Sequence, residues 1–156
     1  MRKWLVPVLI VAAMTSGARL TAAQHPLQTL DEAWMKAAKA GDVDAITALY
    51  APDAVVYPPD AMEVRGTDAI RKAWAGLFAA YAITDMKIDA VYETAGNISL
   101  GWGRWTMTVT PKAGGAPEKW EGRATSIAKK INGKWLYVND HASMPMPPPP
   151  NATKSQ

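Results

Sequence analysis

The feature that most restricts this chain is a change of period. Up to Tyr81 its apolar residues recur every three or four positions, and from about residue 84 to 143 they alternate instead. The first period marks a helix buried along one face, and the second marks a strand with one face covered. Helices followed by a run of consecutive strands imply an α+β domain, with the helices laid across one face of a mostly antiparallel meander.

Leu27, Leu30, Trp34 and Ala37/Ala38 set the first helical face, and Gly41 is a suitable stop. Asp42 can cap a second helix over 43–50, with Val43, Ile46, Leu49 and Tyr50 inward, and Pro52-Asp53 breaks it. A short strand is predicted over 54–57, closed by Pro58-Pro59. Thr67 is the expected cap of a third helix, whose apolar face is Ile70, Trp74, Leu77, Phe78 and Tyr81. Strands are predicted over 84–94, 98–110, 118–131 and 134–143, separated by Gly- and Asn-containing turns.

The ends do not fit that domain. Met1-Arg2-Lys3 precedes an apolar run over 4–14, too short to span a bilayer comfortably, and the small residues Ala22-Ala23 follow before Gln24. Residues 1–23 therefore read as a signal peptide, 24–145 as one domain and 146–156, rich in proline, as a disordered tail. Export implies a periplasmic or secreted location and no membrane contact after cleavage. Cleavage after Ala23 removes three of the 17 basic residues, leaving 14 against 14 acidic. A neutral chain without a basic patch argues against a nucleic-acid partner. With no cysteine and two separated histidines, neither a disulfide nor a metal site is expected. No cofactor is expected either.

The segment AGDVDAITALYAPDAVVYPPDAMEVRGTDAIRKAW together with GKWLYVNDHASMP resembles nuclear transport factor 2-like proteins. The likeness is to their SnoaL-like and ketosteroid isomerase-like branch, and also to the calcium/calmodulin-dependent protein kinase II association domain. It extends from about Leu27 to Pro145. It implies a cone-shaped barrel: three N-terminal helices on a strongly bent sheet, a pocket between them, and homodimerisation through the sheet. Such folds serve isomerases, dehydratases, binding proteins and assembly modules alike, so chemistry has to be argued from residues.

Ketosteroid isomerases place a basic Asp just after the first strand and a Tyr on the first helix. Those positions correspond here to Pro58 and Trp34, so the usual steroid isomerisation is disfavoured. Asp60, two residues on, is either a displaced base or a solvated turn residue. Resemblance to the association domain sets Arg104 in the pocket, while two further arginines of that set fall at Ser126 and Ala142. Alternation places Arg104 with Trp102 on the concave face, and Asp140 is expected to share that space. There Arg104 either pairs with Asp140 or anchors an anionic or carbonyl-bearing ligand. Parity turns His141 outward, although an imidazole is a side chain suited to proton transfer. Tyr57, Met62, Trp74, Tyr81 and Trp102 are candidates for the apolar pocket wall, with Trp105, Trp120, Trp135 and Tyr137 assigned to the convex face. Three functions remain open: a binder of a small apolar ligand; an isomerase, lyase or hydratase using Arg104 with Asp140, His141 or Asp60; and a non-catalytic dimerisation module.

Overall fold

The computed structural model describes residues 24–146. The expected signal segment and the tail from 147 onward lie outside the described residues. Helix α1 (Pro26–Ala40) starts with proline, where no N–H is needed, and ends at Gly41, whose φ of 64° a side chain would disfavour. Asp42 accepts a hydrogen bond from Ala45 N at 2.9 Å and caps α2 (Val43–Thr47). Strand β1 (Tyr50–Tyr57) follows, then β2 (Val64–Arg65), α3 (Thr67–Ala80), β3 (Tyr81–Ala95), β4 (Ile98–Pro111), β5 (Glu118–Ile131) and β6 (Lys134–Ser143).

Three local expectations change. The second helix stops at Thr47 rather than reaching Tyr50, because Tyr50 already pairs with Tyr137 in the sheet and Tyr137 N donates to Leu49 O. Thr67 is the first residue of α3, and its cap is Gly66 at φ 81°, whose N–H donates to Ala54 O. Only α1 and α2 precede the sheet, since β1 and β2 come before α3.

The strands form a single sheet in the order β2-β1-β6-β5-β4-β3, antiparallel except for the β1–β6 pair. Among the described residues β2 and β3 are its two edges, so the sheet is open rather than a closed barrel. Helices α1 and α3 pack on it, and the core runs between them through Leu27, Ile46, Ile70, Val109 and Tyr137.

Strand β4 decides which side faces the helices. Ser99, Gly101, Trp105, Met107 and Val109 are buried, whereas Ile98, Trp102 and Arg104 are exposed. The reason is visible at the glycines. A Cβ on Gly101 would stand 2.8 Å from Leu27 Cδ2 of α1, and one on Gly103 only 2.2 Å from Asp89 O. Backbone must come this close for α1 and β3 to pack, so only glycine fits at these two positions. Trp105 then lies inward against Gly122 of β5, where a Cβ would meet its ring at 2.8 Å.

Candidate functional site

A cavity of about 670 Å³ lies between the helices and the inner face of the sheet. Asp31, Ser126, Tyr137 and Asp140 are among the polar residues that line it. On α1, Asp31 stands in phase with Leu27, Leu30 and Trp34, so the period that buries those residues also buries a carboxyl group, 7 % exposed. Parallel pairing of Tyr50 with Tyr137 brings their rings to 5.1 Å. On the other side of β6, Ser126 of β5 stands directly opposite Asp140.

Two hydrogen-bonded groups result. In the first, Trp34 Nε1 donates to Tyr50 Oη at 2.8 Å, Tyr50 Oη donates to Asp140 Oδ2 at 2.7 Å, and Ser126 Oγ donates to Asp140 Oδ1 at 3.0 Å. In the second, Asp31 accepts from Tyr92 Oη at 2.8 Å and from Tyr137 Oη. Burial pushes the Asp31 carboxyl up to about 6, although the two tyrosine hydroxyls oppose the shift. Burial also raises Asp140, against the hydrogen bonds of Tyr50 and Ser126 and the charge of His141. Burial beside these carboxyls holds Tyr50, Tyr92 and Tyr137 above the ordinary phenol range, so all three remain donors.

Aromatic rings make the walls. Trp34 and Trp74 meet edge to face at 5.2 Å, and Tyr81 and Trp120 do so at 5.0 Å. The indole N–H of Trp74 is buried with no acceptor among the described residues. Asp60, Pro58 and Tyr57 lie at the margin of the cavity, where Asp60 is exposed.

The residues singled out from sequence are therefore divided. Asp140, Asp60, Tyr57, Trp74 and Tyr81 line the cavity. Trp102 borders it between two glycines, but its side chain belongs to the exposed side of β4 and is 42 % exposed. Met62 is 85 % exposed and does not line the cavity. Arg104 is exposed on the face opposite Trp105 and cannot pair with Asp140 across the sheet. His141 is on that outer side too, with its ring edge-on to Tyr57 at 6.1 Å. Ser126 and Ala142, where the resemblance set further arginines, both line the cavity, so no arginine enters it.

Two physical reasons account for these displacements. Strand β4 is apolar on both faces, so alternation alone does not say which is inside, and its glycines were the usable signal. In β6, a bulge between the pairs Asn139–Ile127 and Tyr137–Ala128 gives Tyr137 and Asp140 a common direction despite their opposite parity. Asp31 was missed although its signal was present, a lone carboxyl within an apolar helical stripe.

The described residues thus form an open α+β sheet roofed by helices over an aromatic cavity. The chain belongs to the SnoaL-like domain family, whose model matches residues 32–138. Among solved structures it is similar to a ketosteroid isomerase-like protein from Erwinia carotovora atroseptica, with 20% identity, a TM-score of 0.70 and coverage of 78% of this chain and 95% of that one. A candidate calcium/calmodulin-dependent protein kinase II association domain from Xanthomonas campestris has 25% identity, a TM-score of 0.65 and coverage of 88% and 99%. A candidate dehydratase from Streptomyces avermitilis has 16% identity, a TM-score of 0.63 and coverage of 78% and 95%. No curated protein matches the chain.

Proposed function

We propose that this is an exported SnoaL-like protein, periplasmic or secreted, that holds a small, largely apolar molecule in the cavity between its helices and sheet. The supporting observation is the size of that space, about 670 Å³, together with two hydrogen-bonded carboxyls set into aromatic walls. Concave apolar sites of roughly 300–1,000 Å³ with a few convergent polar groups are the usual form of small-molecule sites. Binding of the neutral, apolar dye N-phenyl-1-naphthylamine tests the reading. Its fluorescence should rise with the protein, and Ala124→Phe, which fills the cavity from β5, should remove the rise without lowering the melting temperature. A dye that stays dark, or one that binds the variant equally well, would sink the proposal.

A second reading is favoured by the raised Asp31 and Asp140. Carboxyls that exchange protons nearer neutrality are suited to isomerase, lyase or hydratase chemistry. Asp140, oriented by Tyr50 and Ser126, and Asp31, oriented by Tyr92 and Tyr137, would be the proton carriers. Arg104 and His141, on the outer face, would have no part in it. Solvent deuterium appearing at carbon in a panel of cyclic ketones, and ceasing with Asp140→Asn, would support this chemistry; unlabelled ketones would remove it.

The outer face of the sheet pairs with a second copy of the chain. Trp102, Ile98 and Val91 are exposed there, beside Asp89, Glu93, Arg104 and Arg123, so the face carries both signs of charge and can complement itself. Sedimentation at micromolar concentration should give a dimer that Trp102→Asp dissociates. A monomeric parent protein would overturn this assignment.

A further inference from the structure

The cavity's charge is one-sided. Three carboxyl residues line it, Asp31 and Asp140 inside and Asp60 at its margin, and no Lys, Arg or His is among its lining residues. Neither inner carboxyl has a salt-bridge partner among the described residues. Tyrosine and serine hydroxyls satisfy their hydrogen bonds but supply no compensating charge. A buried carboxylate without a cation carries a desolvation penalty that hydrogen bonds offset only in part.

The walls have the complementary property. Trp34 with Trp74, and Tyr81 with Trp120, form two edge-to-face corners, and all four rings line the cavity. An aromatic ring presents negative charge at its face, so corners of this kind attract a cation, Trp most strongly. Asp31 and Trp34 lie one turn apart on the buried face of α1, which places a carboxyl beside one corner.

Building on the ligand-binding reading, we propose that the cavity accepts an organic cation, an amine or quaternary ammonium with an apolar body. The cationic head sits against the tryptophan corner with Asp31 and Asp140 as its counter-charges. The apolar remainder fills the space toward Met86, Ile88 and Met107. Asp60 at the margin adds attraction for a cation arriving from solvent. An anionic ligand finds no counter-charge inside, which reverses the expectation drawn from Arg104.

The arrangement also fixes a pH dependence. Asp31 faces Tyr137 and Tyr92 as donors and feels the charges of Asp140 and Glu32, while Asp140 faces Tyr50, Ser126 and the charge of His141. In the empty cavity Asp31 ionises only near 6, so a bound cation should draw both carboxyls toward the charged form and release protons.

Phenyltrimethylammonium and tert-butylbenzene test the proposal, because they share a shape and differ in charge. With the full chain, quenching of tryptophan fluorescence should show the ammonium binding at least tenfold more tightly than the hydrocarbon at pH 7.5. That advantage should shrink severalfold at pH 5, and calorimetry in buffers of different ionisation enthalpy should detect proton release near pH 6. Asp31→Asn should lower ammonium affinity about tenfold and leave the hydrocarbon unaffected. Should the variant fail to fold, the pH series on the parent protein decides the same point. Hydrocarbon binding equal to or tighter than ammonium binding would overturn the cation proposal while leaving the cavity a binding site. Failure of both to bind would overturn the two readings together.

Discussion

The two faces of the sheet use similar residues for opposite ends. On the inner face Trp105 is 5 % exposed, its indole N–H bonded to Arg123 O at 3.1 Å, and both carboxyls are held by tyrosines. Three residues earlier on the same strand, Trp102 is 42 % exposed, among charges of both signs. Aromatic content therefore does not distinguish a core wall from an exposed surface. What distinguishes them is whether the polar neighbours are satisfied within the fold or left to solvent or a partner.

The sharpest contrast should come from truncating the two tryptophans. Trp105→Ala removes an inward ring and should cost about 3–5 kcal/mol of unfolding free energy in denaturant titrations. Trp102→Ala should change the stability of the dilute protein by less than about 1 kcal/mol, while weakening self-association. Equal losses from both would show that the faces are not energetically distinct.

Next in size are changes that disturb the inner face without removing its walls. Gly103→Ala must displace the backbone of β3 at Asp89 and should cost about 2–3 kcal/mol. Tyr50→Phe leaves the buried Trp34 N–H without its acceptor and Asp140 without one donor, an expected loss of about 1–3 kcal/mol. A neutral outcome at Tyr50 would mean that water replaces its hydroxyl.

A comparable effect should appear as a pH slope. The folded pKa of Asp31, about 6, lies above its unfolded 3.8, so folding favours the protonated carboxyl. Its contribution is fully present below the unfolded value and is lost as pH rises through the folded one, a change of about 2–3 kcal/mol between pH 4 and 7. Asp31→Asn should remove this slope, so that the variant gains on the parent as pH rises. Melting temperatures of both proteins across that range measure it, and parallel curves would show that Asp31 is solvated. The smallest effect belongs to the outer face: Arg104→Ala should alter stability by no more than about 0.5 kcal/mol.

Much of the fold was legible along the chain. The predicted bounds 118–131 and 134–143 coincide with β5 and β6, because a tight Asn-Gly turn and strong alternation specify them locally. At Asn132-Gly133 both residues have positive φ, as such a turn requires. The local pattern puts Tyr50 in a helix, because its partner, Tyr137, stands 87 positions away and nothing nearby announces a parallel pairing. The candidate site was legible only in part. Asp140 lines the cavity as alternation suggests, whereas alternation alone sets Arg104 on the wrong face.

By itself, the sequence determined the order of the helices and of every strand but β2, the helix boundaries at Gly41 and Asp42 and the SnoaL-like family. Periodicity, turn chemistry and capping act between neighbours, so a single chain carries them openly. Tertiary structure decided which face of β4 is inside, how a bulge brings Tyr137 and Asp140 to one space, and that no lysine, arginine or histidine lines the cavity among the described residues. Those outcomes depend on the close approach of α1 and β3 to glycine backbone and on strand register, which arise only between segments far apart in the chain.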